Sequence, residues 1–210
     1  MPIVLITPPV TLPSEHLFLN AMLNLGLPKV HLRKPGQSLE AHDAYIQHIS
    51  PEYRNRITLH DFHELSQKFC LGGVYYRERQ IPGDLITAPS PTQTVSLGFH
   101  NPEDLLVDRG DVGYCFLSPI YESISKTGYG PGAKIANREV LSQFVSKSRY
   151  PVVALGGATP SVFSELAEMG FAGAALLGSI WNVENPLAAM EEALEEDAKT
   201  SWKGKLNFSL

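Results

Sequence analysis

Five groups of residues in this sequence have the types and spacing that chemistry needs, and each follows a short apolar run. In Val30-His31-Leu32-Arg33-Lys34, His31 and Arg33 stand two residues apart, so an extended strand puts both on one face. Arg33 could close an ion pair at a rim. A cation at an inward position is costly without a partner, however, and that favours an anion-holding role. His60-Asp61-Phe62-His63 offers two imidazoles and a carboxylate within four residues. Adjacent ligands rarely converge on one metal, so a zinc site is the weaker reading and a solvated loop with one working acid, Asp61, the stronger. Leu97-Gly98-Phe99-His100 ends in the side chain best suited to general acid/base work near neutral pH, although His100 could equally just satisfy loop carbonyls. The long stretch from Ser118 to Gly132 mixes hydroxyls, a lysine, glycines and prolines. It reads as an anion-binding lid in which Lys126 supplies a point charge and Ser123 and Ser125 supply hydrogen bonds; a plain surface excursion is the alternative. Leu155-Gly156-Gly157-Ala158 and Leu177-Gly178-Ser179-Ile180 are glycine turns that let backbone N–H groups approach a phosphate. Either turn alone marks only a change of direction; the two at successive strand ends form a phosphate site.

The elements that must position these groups are legible as eight short β-rich runs, at 3–6, 30–32, 57–59, 74–76, 94–97, 112–117, 152–154 and 174–177. Most are continuously apolar, as parallel strands covered on both faces should be. Helical stretches lie between them. Ser14 precedes one, Ser38 caps another over 39–49, and Asn101-Pro102, Thr159-Pro160 and Asn185-Pro186 each place a capping side chain before a proline at the first helical position. Strand followed by helix about eight times predicts an α/β fold, a (β/α)8 TIM barrel, with a doubly wound open sheet as the alternative. Between Tyr76 and Thr94 the sequence is rich in arginine, proline and glycine without a helical period, so the helix after strand 4 is expected to be short or missing. One barrel domain over 1–200 and a loosely held C-terminal extension over 201–210 follow. In such a barrel the site forms at the C-terminal ends of the strands, where all five groups fall.

Composition narrows the function classes. With 210 residues, 43% hydrophobic and 19% charged, the chain is globular rather than disordered. A net charge of −5 without a basic stripe argues against nucleic-acid partners. No apolar stretch reaches the roughly 20 residues of a membrane helix, and Met1–Val10 lacks the basic start of a signal peptide. Two cysteines, Cys70 and Cys115, fit a reduced, cytoplasmic protein. The partner expected is a phosphorylated small molecule, with a homo-oligomer possible.

Several of these segments resemble the thiamine phosphate synthase family and its sister group, the thiazole tautomerases. The run from Pro151 to Gly157 and that from Gly170 to Ile180 are similar to the family's last two strands. The Pro119-to-Lys126 segment is similar to its Gly-Pro-aromatic-x-Thr-x-Thr-Lys loop, with Ser123 and Ser125 in place of threonines, and His31-Leu32-Arg33 resembles its strand-2 motif. The resemblance spans nearly the whole chain in order. It implies an enzyme of thiamine biosynthesis that holds a thiazole phosphate at Gly156, Gly157, Gly178 and Ser179. A synthase would join that phosphate to hydroxymethylpyrimidine diphosphate, with Mg2+ stabilising the departing diphosphate and Asp61 as a metal ligand. A tautomerase would shift a proton on a thiazole carboxylate phosphate until its ring is aromatic, without metal or other cofactor. The synthase's Arg-Glu-Lys becomes Arg33-Lys34-Pro35, and Gln80 stands where its second metal carboxylate would be. A histidine after strand 5, here His100, is the acid/base residue of the tautomerases. These departures favour the isomerase, with His100 moving the proton, Arg33 and Lys126 holding the carboxylate, and His31, Asp61, Ser123 and Ser125 lining the substrate. The Mg2+-dependent transferase is the second reading, and a binding protein that kept the pocket but lost the chemistry is the third.

Overall fold

The structure is a computed structural model that describes residues 2–81, 88–122, 130–203, 206 and 208. Eight parallel strands close on themselves in sequence order, and β1 pairs with β8. They are β1 (Ile3–Ile6), β2 (Lys29–Leu32), β3 (Ile57–Leu59), β4 (Gly73–Arg77), β5 (Thr94–Phe99), β6 (Tyr114–Leu117), β7 (Val152–Leu155) and β8 (Gly173–Leu176). The barrel is the one the strand-and-helix alternation predicts; the open sheet is not formed.

Alternation along each strand sorts the side chains into two cores. Outward residues such as Leu5, Leu32, Leu59, Val74, Leu97 and Leu117 join the layer between sheet and helices. Inward residues Val4, Ile6, Tyr75, Tyr114, Phe116, Val153 and Ala175 fill the barrel itself, so it is a packed interior and not a pore. His31 continues the inward row of β2, with its ring 4.8 Å from that of Phe116. Tyr75 needs room that only a glycine leaves. A side chain at Gly98 on the neighbouring strand would collide with its ring and hydroxyl.

The connections are uneven. Helices α1 (Glu15–Asn24), α2 (Leu39–Gln47) and α3 (Glu64–Lys68) follow the first three strands, and α4 (Ala133–Ala136) and α5 (Arg138–Lys147) follow β6. The last two strands are followed by α6 (Phe163–Glu168), α7 (Gly178–Trp181) and α8 (Pro186–Lys199). Ser38 caps α2 through the Ala41 N–H, and Asn185 caps α8 through the Ala188 N–H. After β4 the described residues form a single 3-10 turn, Glu78–Gln80, in keeping with the missing helical period there. Asn101-Pro102 is a correction. It opens only a 3-10 turn, Pro102–Leu106, and the Asn101 side chain turns to Glu103 instead of capping. Ser14 likewise sits left-handed at φ 57° without a side-chain cap, and Thr159 makes none. The tail is better anchored than its sequence suggests. The Trp202 indole N–H donates to Asp197, and Phe208 packs 5.3 Å from the Tyr114 ring at the end of the barrel opposite the site. Among the described residues no helix is long and apolar enough to cross a membrane.

Candidate functional site

Strand register brings two of the predicted groups together at one side of the mouth and adds Arg77, which belongs to neither. The His60 N–H donates to the Leu32 carbonyl, so Arg33 and His60 leave β2 and β3 side by side. Leu59 pairs with Val74, which sets Asp61 beside the end of β4. There Arg77, two residues past the inward Tyr75, reaches Asp61 with its guanidinium 3.4 Å from Oδ2. Arg33 is held by its backbone. Its N–H donates to Thr7 Oγ1 at 2.9 Å, and that hydroxyl donates to the Arg33 carbonyl at 3.2 Å. Burial and the neighbouring Arg77 charge both push the Arg33 guanidinium below its ordinary value, while Tyr75 and Asp61 oppose them. Burial pushes the Tyr75 phenol up to about 12, so it stays neutral beside both cations.

Beneath this layer runs a chain of buried polar groups. Tyr114 Oη lies 2.5 Å from His31 Nε2, and His31 Nδ1 lies 2.9 Å from His60 Nε2. His60 stacks on Tyr75 with ring centroids 4.0 Å apart, and its Nδ1 is buried with no partner among the described residues. Burial holds both imidazoles well below the ordinary histidine range, aided at His60 by the charges of Arg33 and Arg77. Both are therefore neutral at pH 7 and work as hydrogen-bonding groups, not as cations. His31 is fully buried with both ring nitrogens engaged, which places it under the site rather than at its surface.

His100 lies across the mouth, after β5, and is exposed. Its Nδ1 is 2.8 Å from the Ser118 carbonyl at the end of β6, and a carbonyl can only accept. A hydrogen on Nδ1 satisfies that contact, and Nε2 is then the ring nitrogen left to exchange a proton. Beyond it the glycine turns meet. Gly156 and Gly157 adopt φ of 95° and 69°, and Ser179 Oγ donates to the Ala158 carbonyl at 3.1 Å, tying the turn after β7 to the start of α7. Among the described residues the N–H groups of Gly157, Gly178 and Ser179 have no backbone acceptor. The chain packs closely on one of these turns: a side chain at Gly157 would strike the Glu122 carbonyl and the Tyr121 side chain. Ser123, Ser125 and Lys126, the hydroxyls and lysine expected of the lid, lie outside the described residues.

Several contributors carry no sequence signal. Thr7 and Tyr75 sit in no motif and Ser118 only opens the long stretch after strand 6, and the register is what shows that they hold Arg33, His60 and His100. Lys34 departs from the cationic rim that its position beside Arg33 suggests. It points outward and is fully buried, 2.7 Å from Glu15, with Tyr45 completing the group. Arg79 is exposed on the turn after β4.

A zinc reading of the His60-to-His63 segment finds no geometric support. His63 Nε2 faces the Tyr75 carbonyl at 3.0 Å, and among the described residues no three His, Cys, Asp or Glu side chains converge on one point. Mg2+, which the family resemblance implies for a synthase, needs carboxylates plus substrate phosphates. Here Asp61 is paired with Arg77, Gln80 is exposed, and Arg33 adds a second cation, so these residues do not fit the ion.

Comparisons with known proteins agree with this geometry. The thiamine-phosphate synthase of Levilactobacillus brevis is 36% identical over 88 residues, 40% of this chain and 39% of that protein. The thiamine-phosphate synthase of Streptococcus suis is 23% identical over 145 residues, 69% of this chain and 62% of that one. The aligned stretches thus span less than two thirds of either relative. Among solved structures, thiamine phosphate pyrophosphorylase from Bacteroides thetaiotaomicron is 28% identical with a TM-score of 0.73, covering 95% of this chain and 98% of that one. The pyrophosphorylase from Pyrococcus furiosus, 17% identical with a TM-score of 0.77 and covering 94% and 96% of the two chains, shares the fold. The family model for thiamine monophosphate synthase matches residues 3–180, and the chain belongs to that family.

Proposed function

We propose that this protein is an enzyme of thiamine biosynthesis that binds a thiazole phosphate and moves a proton on its ring, converting a thiazole carboxylate phosphate to its aromatic tautomer. The observation that carries the reading is the contact between His100 Nδ1 and the Ser118 carbonyl. With Nδ1–H committed to the Ser118 carbonyl, Nε2 is the atom that can take a proton from one ring position and return it to another. The reaction is an isomerisation, so the proton removed equals the proton delivered and no co-reactant is needed. Arg33 and Lys126 would hold the carboxylate, and the N–H groups at Gly156, Gly157, Gly178 and Ser179 the phosphate. Asp61, Ser123 and Ser125 would line the substrate, with His31 supporting from below. Holding the two anionic ends fixes the ring against the base, which is where positioning lowers the barrier. Mixing the protein with the unaromatised thiazole carboxylate phosphate in chelator should give an ultraviolet absorbance rise that saturates with substrate. Absence of any rise over the uncatalysed rate would remove the isomerase reading.

A Mg2+-dependent condensation of thiazole phosphate with hydroxymethylpyrimidine diphosphate is the second reading, favoured by the synthases among the relatives. Thiamine phosphate and diphosphate formed from both precursors with Mg2+, and abolished by chelator, would establish it. Tight thiazole phosphate binding with neither turnover would leave a non-catalytic binding protein.

A further inference from the structure

Among the described residues, the side of the mouth formed by β2, β3 and β4 holds more positive charge than its neighbours compensate. Arg33 and Arg77 continue the inward rows of His31 and Tyr75, so both stand above the His60–Tyr75 stack. One carboxylate, Asp61, serves the pair: it is 26% exposed, and the Arg77 side chain that reaches it is 42% exposed. His60, His31 and Tyr75 beneath are neutral, so among the described residues the cluster of Arg33, Arg77 and Asp61 keeps one unmatched cation in a half-buried place. Such a charge is stable when an anion completes it. A guanidinium pair in a fixed fork suits the paired oxygens of a carboxylate or phosphoryl group.

We infer that Arg33 and Arg77, the latter paired with Asp61, form a metal-free clamp for an oxyanion group of the substrate, in the place where a magnesium ion would otherwise gather it. Arg77 supplies the charge, and Asp61 orients Arg77 instead of ligating metal. The His60 ring, whose Nδ1 is buried without a partner among the described residues, feels the charge of both arginines. Fixed by the Tyr114–His31–His60 chain, it completes the floor of the clamp. This assignment is independent of which reaction the site performs, because either thiazole substrate or a diphosphate presents such oxygens.

The test is calorimetric titration of the intact protein with inorganic diphosphate, once in chelator and once with Mg2+. The clamp predicts binding in chelator, no tightening by Mg2+, and a loss of tenfold or more in Arg77→Gln, with Arg77→Lys intermediate. Arg79→Gln, on the exposed turn nearby, should bind as wild type does. Asp61→Asn separates the two roles by sign. Removing the compensating carboxylate from a clamp tightens diphosphate binding severalfold, whereas removing a metal ligand weakens binding in Mg2+. Thermal melts confirm that each variant is folded. Binding that requires Mg2+, equal affinity in Arg77→Gln and wild type, weaker binding in Asp61→Asn, or no binding at all would overturn the inference.

Discussion

Arg33 and Lys34 are consecutive cations at the end of one strand, and they finish in opposite surroundings. Arg33 turns inward to the mouth, its backbone fixed by Thr7, with its guanidinium beside Arg77 and Asp61. Lys34 turns outward. There its ammonium meets both Glu15 oxygens at 2.7 Å and the Pro8 carbonyl at 2.8 Å, and the Tyr45 hydroxyl donates to Glu15 at 2.5 Å. Glu15 also accepts from the Leu12 N–H, so one buried ion pair fastens the β1–α1 loop, the end of β2 and helix α2 together. The same charge thus meets two surroundings one residue apart: Lys34 is fully compensated and structural, while Arg33 has no ion-pair partner among the described residues, as the proposed clamp needs. A single step of the strand's alternation decides which.

The largest effect should come from breaking the compensated side. Lys34→Met leaves Glu15 buried without its cation and should cost about 3–5 kcal/mol in urea unfolding. Adding Glu15→Gln to it should recover most of that loss. A single variant within about 1 kcal/mol of wild type would mean that the pair does not hold the loop.

Arg33→Ala should give the converse result. Its urea midpoint should stay near that of wild type, while kcat/KM for ring aromatisation falls about 100-fold, or about 2.7 kcal/mol of transition-state stabilisation. Equal kcat/KM with lowered stability would assign Arg33 the structural role instead.

Smaller still is the effect of acid on the neutral chain below. His31 and His60 have folded-state values well below the unfolded one of about 6.5, so the unfolded chain takes up their protons first. Their contribution is fully present above about pH 6.5 and is lost as pH falls below it, by about 1.4 kcal/mol per pH unit for each ring. His60→Gln should flatten that slope by roughly one proton's worth; an unchanged slope would show that His60 is not buried in neutral form.

Much of the fold was legible because the strands are continuous apolar runs. The expected and observed bounds of β1 and β3 coincide, and most others differ by a residue or two. The helix starts were less legible. Asn101-Pro102 has the same local form as Asn185-Pro186, but only the five residues Pro102–Leu106 follow Asn101 before the chain leaves the helical path at Val107, too few for an α-helix to propagate. Helix α5, capped by Asn137, stands beside the long loop after β6 and was hidden by it. At the site, the alternation that sets His31 and Arg33 on one face is a local rule and could be read. The partners could not. Glu15 lies 19 residues from Lys34, Asp61 lies 16 from Arg77, and Ser118 lies 18 from His100, so only closure of the barrel brings them into contact.

The central claim is that His100 carries the proton. Its direct test is the rate of ring aromatisation by wild type and His100→Gln in chelator, at saturating thiazole carboxylate phosphate. Glutamine can keep a hydrogen bond to the Ser118 carbonyl but cannot take up the proton, so the variant should bind substrate and turn over at least 100-fold more slowly. Equal rates for the two proteins would contradict the claim.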